Sequence, residues 1–344
     1  MLGDDAPLLM LLRSGVVEWP LRLRLALFSP QRLGRGSAAE LVKRMLRPES
    51  KEAFRELAEQ YHSAPGELKL FTVSSGTPPA TLNLVLARML DARPIVNMTP
   101  SLLPRRLFAL NIIPVHDDKR PAQAAAQSAA KHGNVVTTPL ALGYFDAPAA
   151  HLLARTICQE HGLDPQGRYL GLAIGGPSKS APWDRDLVLR TLELVLAIAR
   201  QQASRLLVTT SRRTPAWCLD WLKRNYIGQA EVPYFLDAAQ DPLNPLPAFY
   251  DLARAMLITE DSFSMVCEAM HAGHQPLLLP VSRGTQAGKL SRALAALVAS
   301  GLAQRLDVRR SGSAFINLPA ARSLPANALY DELRSEVRSR LGLD

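Results

Sequence analysis

Tyr169-Leu170-Gly171-Leu172-Ala173-Ile174-Gly175-Gly176-Pro177-Ser178-Lys179 is the stretch whose reading decides the fold. The apolar run Tyr169–Ile174 has the length of a strand buried on both faces, and it breaks at once into a glycine loop, Gly175–Ser180. A helix follows over Asp186–Gln202. The cycle then repeats: strand Leu206–Thr210, loop Ser211–Arg213, and helix Pro215–Arg224 with proline at its first position. Tyr234–Leu236, Ala255–Thr259 and Leu277–Val281 read as further strands, and Phe263–His271 and Leu290–Ser300 as further helices. Strands alternating with helices mean an open, mostly parallel α/β sheet. Ligands of such sheets bind beyond the carboxyl ends of the strands.

The same alternation runs back toward Met1. Leu68–Val73 is a strand ending in Ser74-Ser75-Gly76-Thr77, Pro79–Leu90 a helix, and Ile95–Met98, Leu110–Val115 and Val135–Thr138 are short buried strands. Arg120–Lys131 is an Ala/Gln-rich helix or connector. Leu21, Leu23, Leu25 and Leu27 alternate with Arg22 and Arg24, the period of a half-buried strand. Ala38–Arg47 and Glu49–Tyr61 read as helices parted by Pro48. Ala147-Pro148-Ala149 opens a helix, His151–His161, taken as the hinge region. The expected domains are therefore 1–146 and 147–344. Leu329, Leu333, Val337 and Leu341 form one stripe of a tail helix, Ala328–Leu341, which is expected to cross back onto the first domain.

Composition agrees with two globular domains. The chain has 344 residues, 47% hydrophobic and 21% charged. Its net charge of +9 is spread over both halves, with no basic arm, so no nucleic-acid partner is expected. Cys158, Cys218 and Cys267 are odd in number and far apart, which argues against a disulfide framework and a cysteine zinc site, and a reducing cytoplasmic compartment is the default. No apolar run reaches about 18 residues. Asp4 and Asp5 stand where an export signal would be basic. Any membrane contact is expected to be peripheral, from the inner face.

Three post-strand loops carry chemistry. In Gly175-Gly176-Pro177-Ser178-Lys179 the glycines allow close backbone approach, while Ser178 and Lys179 add a hydroxyl and a cation, a set suited to phosphate or diphosphate. The same residues also make an ordinary glycine turn. In Ser211-Arg212-Arg213-Thr214-Pro215 the two guanidinium groups match phosphate oxygens. Thr214 reads as an N-cap there, which leaves Arg212-Arg213 unexplained. In Glu260-Asp261-Ser262-Phe263-Ser264, Asp261 or Ser262 is expected to cap the next helix. Glu268, one and a half turns in, suits ribose hydroxyls or, equally, a positive helix end. His116-Asp117-Asp118 after a strand is an acid/base candidate, or a polar surface turn. His271 and His274 read as solvated residues at a helix end, and no metal site is expected.

The motifs GGPSK, TTSRRTP, Asn244-Pro245 and TEDSFSMVCEA, in this order and spacing, resemble the mitochondrial fission Elm family. Arg105-Arg106, Ile112–Asp117 and Gly133–Thr138 resemble it too. Bacterial members of that family are described as candidate glycosyltransferases. The resemblance implies a GT-B-like fold, two Rossmann-like domains facing across a cleft, with the nucleotide-sugar held by the second. It implies that Gly175, Gly176 and Ser178 lie by the diphosphate and that Ser211, Arg212 and Arg213 face it. Asp261, Ser262, Ser264 and Glu268 would reach sugar and ribose. Family members usually open with a strand and an Asp-Gly, Gly-His and Asn-Gln rich loop. This chain begins just after it, near Val16, so the expectation is either a truncated start or a first domain without its usual first strand. Glu260 stands where the family tends to a small residue, and Ser180 where it often has His.

Two readings of function follow. The first is a metal-independent transferase that needs no cofactor and moves a sugar from a nucleotide-sugar donor to a cell-envelope glycan or lipid-linked acceptor, with His116 or Asp117 as acceptor base. The second is a non-catalytic adaptor that binds a partner or a membrane surface. A nucleotide-sugar epimerase of the G-x-x-G-x-x-G type is set aside, because neither that motif nor a Tyr-x-x-x-Lys pair is present.

Overall fold

The computed structural model describes residues 70–100, 103–114, 133–138, 140–178, 181–283, 288–309, 318 and 330–343. The expected strand Leu21–Leu27, the helices Ala38–Arg47 and Glu49–Tyr61 and the connector Arg120–Lys131 lie outside these residues. The chain divides into two compact units, Met1–Gly143 with Leu329–Asp344, and Tyr144–Ala328.

Among the described residues the first unit has four parallel strands, β1 (Phe71–Ser75), β2 (Arg93–Asn97), β3 (Leu110–Pro114) and β4 (Val135–Thr138), side by side in chain order. Every residue of β3 is buried, as a strand covered on both faces requires. Gly76, at φ 78°, turns the chain out of β1 into helix α1 (Thr77–Met89), whose first turn carries proline. One polar side chain pins that helix to the sheet. Asn83 is buried and donates to Ser74 Oγ at 2.8 Å and to the Ile95 carbonyl at 2.6 Å.

The second unit opens with α2 (Ala147–His161), capped by Asp146, which accepts from the Ala149 amide, and ended by Gly162 at φ 62°. It continues through β5 (Tyr169–Ala173), α3 (Arg185–Gln201), β6 (Arg205–Thr209), α4 (Ala216–Asn225), β7 (Tyr234–Leu236), α5 (Leu246–Leu252), β8 (Ala253–Thr259), α6 (Phe263–His271), β9 (Leu277–Leu279), α7 (Lys289–Ala299) and β10 (Gln304–Arg305). The six strands among the described residues are all parallel, in the order β10-β9-β8-β5-β6-β7. Counted along the chain this is the doubly wound order 3-2-1-4-5-6 of Rossmann folds. The chain moves one way from β5 through β6 to β7, then returns to β5's other side as β8. The connections from β5 and β8 therefore leave in opposite directions, which makes the carboxyl ends of this strand pair the switch point where doubly wound sheets take their ligands. Val188, Leu192, Val195 and Ala199 of α3 pack on Leu170, Leu172, Leu206 and Val208 of the sheet. A Cβ at Gly171 in β5 would stand 2.4 Å from Met256 Sδ, so the thioether packs directly over this glycine.

The last helix, α8 (Tyr330–Leu341), belongs to the first unit. Leu333, Val337 and Leu341, four residues apart, pack on Ile95, Leu110, Ile112 and Val136. Arg93 Nη1 donates to the Leu341 carbonyl at 2.7 Å, and Arg340 Nη1 to that of Gly133 at 3.0 Å. Leu341 is only 1% exposed, so Leu341→Ala should lower this unit's stability by about 2–3 kcal/mol, the lower end of buried leucine truncations because the site lies at a helix end. Hydrogen exchange of the β2 and β3 amides reads this directly: protection should fall there and stay unchanged in β5 and β8.

Candidate functional site

The three loops singled out by sequence meet at the carboxyl edge of the second sheet. Gly175 donates its amide to Thr259 Oγ1 at 2.7 Å, and Gly176 donates to Asp261 Oδ2 at 2.8 Å. The loop after β5 is thus tied to the end of β8. The loop after β6 is tied to it from the other side. Thr214 donates its hydroxyl to the Gly175 carbonyl at 2.6 Å, and Arg213 Nη1 donates to the carbonyls of Gly176 and Pro177 at 2.7 and 3.3 Å. This crossing explains both glycines. A Cβ at 175 would stand 2.1 Å from Asp261 Oδ2, and one at 176 would stand 2.3 Å from the carbonyl carbon of Arg213. Ser178 closes a tight turn by accepting the Ala181 amide at 3.1 Å. Lys179 and Ser180 lie outside the described residues, as do His116 and Asp117.

Asp261 is the centre of the knot. Its side chain is fully buried and accepts from Gly176 N and, at 3.2 Å, from the Trp183 indole, while Arg213 Nη2 stands 3.7 Å away. Burial raises its pKa above the ordinary aspartate value, with the amide, the guanidinium and the indole pulling back down. The neighbouring Glu260 is also buried, and is held by Arg305 of β10, whose Nε donates at 2.9 Å. Glu260 thus takes its cation from 45 residues downstream.

Several expectations are corrected here. Thr214 is not the N-cap of α4, since Pro215 holds that position. The Thr214 hydroxyl instead accepts the Ser211 amide at 2.9 Å and bonds the glycine loop. Neither Asp261 nor Ser262 caps α6: Ser262 stands at the N-cap without a side-chain cap bond, and no acid follows in the first turn. His271 and His274 are not solvated. Both are 3% exposed, and His274 Nε2 lies 2.8 Å from the Tyr250 carbonyl.

The remaining residues differ in availability. Arg213 is engaged, whereas Arg212 is exposed and makes no hydrogen bond or ion pair among the described residues. Ser264 is exposed, 3.5 Å from Ser262 Oγ. Glu268 is half-buried and accepts from the Tyr250 hydroxyl at 3.3 Å. Burial raises its pKa and the hydroxyl lowers it, with the net direction upward. Tyr250 comes from α5, an element the sequence reading lacked; only the Asn244-Pro245 pair marks its start, where Asn244 Oδ1 accepts the Leu246 amide. Trp183 and Trp217 were also missed. Their rings lie 6.0 Å apart beside the glycine loop, with Arg185 5.5 Å over Trp217. A tryptophan in each of two post-strand segments was the available signal.

The knot has a titration signature. Asp261 and Glu268 both hold folded pKa values above their unfolded ones, so between the two the native state binds more protons. Their contribution is fully present below the unfolded pKa and is lost as pH rises through the folded pKa. Asp261→Asn places an amide NH2 against N–H donors, which should cost about 1–3 kcal/mol at neutral pH. Urea denaturation from about pH 7 down to about pH 4 should then show a smaller gain on acidification than the wild type.

Comparison with known proteins follows from this geometry. Similar solved structures include UDP-GlcNAc 2-epimerase from Methanocaldococcus jannaschii, at 10% identity and TM-score 0.48, covering 88% of this chain and 83% of that one. Phytolacca americana UGT2 complexed with UDP-2fluoro-glucose and pterostilbene is similar at 13% identity and TM-score 0.40, with coverages of 92% and 79%. A glycosyltransferase from Rickettsia africae gives 10%, 0.34, 88% and 84%. Likenesses this distant assign no activity to this chain. No curated protein matches it. The family model described as mitochondrial fission ELM1 matches residues 18–334, a span that includes the glycine loop, the Arg212-Arg213 pair and the Asp261 knot, and the chain belongs to that family.

Proposed function

We propose that the second unit binds the diphosphate of a nucleotide-sugar beyond β5 and β8, and that the protein is a GT-B-type transferase delivering the sugar to a cell-envelope glycan or lipid-linked acceptor. The observation that carries this reading is the switch point itself. There Arg212 makes no hydrogen bond or ion pair among the described residues, and α6 begins with no side-chain cap and no acid in its first turn. A guanidinium and a helix N-terminus offset diphosphate charge without a metal or other cofactor. Ser178, Lys179, Ser211 and Arg213 would border the phosphates, Ser262 and Ser264 the sugar, and Glu268 the ribose. His116 or Asp117 would take the proton of the acceptor hydroxyl. The protein would work in the cytoplasm, in peripheral contact with the inner face of a membrane. Among the described residues no helix is long and apolar enough to cross one.

A second reading, a non-catalytic adaptor, draws on one specific observation. The Gly176 amide and the Arg213 guanidinium, which a diphosphate would use, are already satisfied by Asp261 and by backbone carbonyls.

Calorimetry with UDP, GDP, CMP and ADP separates the two. Binding of one of them, weakened by about 1.5–3 kcal/mol in Arg212→Ala, is expected; binding of none leaves the adaptor. Glu268→Gln then tests the ribose role. Affinity should fall by about 1–2 kcal/mol with little change in melting. A variant that melts lower and binds normally assigns Glu268 to the fold alone.

A further inference from the structure

The opposite edge of the first sheet is basic. All four strands are parallel, so the residues entering them share one edge. Arg88 ends α1 just before β2, Arg93 begins β2, and Arg105-Arg106 lie in the turn before β3. The bonds from Arg93 to the Leu341 carbonyl and from Arg340 to Gly133 bring the end of α8, with Arg338, to the same edge. Among the described residues, Asp91 and Glu336 stand against these six arginines, and Glu336 already pairs with Arg340. Arg88 and Arg106 are exposed and make no hydrogen bond or ion pair among the described residues.

The turn at this edge is built to hold a leucine outward. Asn111 and Asn134 both donate to the Arg105 carbonyl at 3.0 Å, and Asn134 also donates to that of Phe108 at 3.0 Å. The Ala109 amide bonds the Pro94 carbonyl at 2.7 Å, and Phe108, 3% exposed, anchors the turn in the core. Leu107, between Arg106 and that anchor, is left 45% exposed. A single exposed leucine is ordinary. One fixed in place among arginines fits a bilayer surface, where the apolar side chain enters the interface and the guanidinium groups meet anionic headgroups. The phosphates of a nucleic acid would gain nothing from the leucine.

We propose that this edge docks on an anionic lipid surface, with Leu107 inserted and Arg88, Arg93, Arg105 and Arg106 on the headgroups. Docking here needs no nucleotide and uses no residue of the second unit, so it and the nucleotide reading can each fail alone.

The test is co-sedimentation of the full chain with phosphatidylcholine vesicles, with and without phosphatidylglycerol. The chain should bind only the anionic vesicles and be released by about 0.5 M salt. Arg88→Gln with Arg106→Gln should raise the lipid concentration for half-binding about 30-fold, since each basic group near such a surface is worth about five-fold. Leu107→Asn should weaken binding severalfold, with melting unchanged in both variants. The proposal is overturned by equal binding to neutral vesicles, by no vesicle binding, or by wild-type binding of the folded variants. It is overturned equally if an acidic polypeptide or an oligonucleotide is bound and vesicles are not.

Discussion

A carboxylate buried where three loops cross is the constraint on which the second unit depends. Asp261 stands two residues past the end of β8 with its side chain out of water, a costly place for a charge. Part of that cost is offset by the Gly176 N–H, the Thr259 hydroxyl, the Arg213 guanidinium and the Trp183 indole, which converge on it. Two of these donors come from the connection between β5 and α3, one from its glycine loop and one from its approach to the helix, and a third comes from the loop after β6. The doubly wound order needs such a device, since β5 and β8 are neighbours in space but 80 or more residues apart in the chain, and their connections diverge. Without a tie, the strand ends that define the switch point would be held by the sheet ladder alone. The glycines follow from the tie. With Asp261 and the Arg213 backbone at 2.1 and 2.3 Å from where Cβ atoms would stand, Gly175 and Gly176 are fixed by the protein's own packing. Their presence is therefore no measure of ligand binding.

That distinction sets the limit of what was legible in the sequence. Buried strands such as Leu110–Pro114 and Tyr169–Ala173 stand out as apolar runs, and the alternation of strands and helices carries the fold class directly. The three loops are visible because local composition marks them. Their partners are not visible, because the partners are distant. Thr214 before proline has every local feature of a cap, and its actual acceptor, the Gly175 carbonyl, is 39 residues away. Helix α5 has only seven residues with proline at its cap and in its first turn, so it lacks the two full turns a periodic pattern needs. Missing it also hid Tyr250, the donor that holds Glu268. The His271 and His274 pair failed for a similar reason. A helix end is usually wet, but here α5 covers it and supplies the carbonyl that His274 meets.

The junction of β8 and α6 places three carboxylates, Glu260, Asp261 and Glu268, within nine residues, where an anion would be repelled unless each were neutralised. Each is neutralised differently. Glu260 takes Arg305, Asp261 takes two N–H donors and shares Arg213, and Glu268 takes a phenol while burial favours its protonated form. Arg213 and Arg305 are thus spent on the protein's own acids. The positive potential left over comes from Arg212 and from the α6 N-terminus, whose first turn carries no acid. Basic residues counted in the loops overstate the charge available to a ligand, and pairing decides how much of it remains. By the same reckoning the basic edge of the first sheet differs in kind. Among the described residues its acids are Asp91 and Glu336, Glu336 is already paired, and Arg88 and Arg106 are exposed without an ion pair. The strand-exit edge of one sheet thus spends Arg213 and Arg305 on internal order and leaves Arg212 outward, while the strand-entry edge of the other presents Arg88 and Arg106 outward.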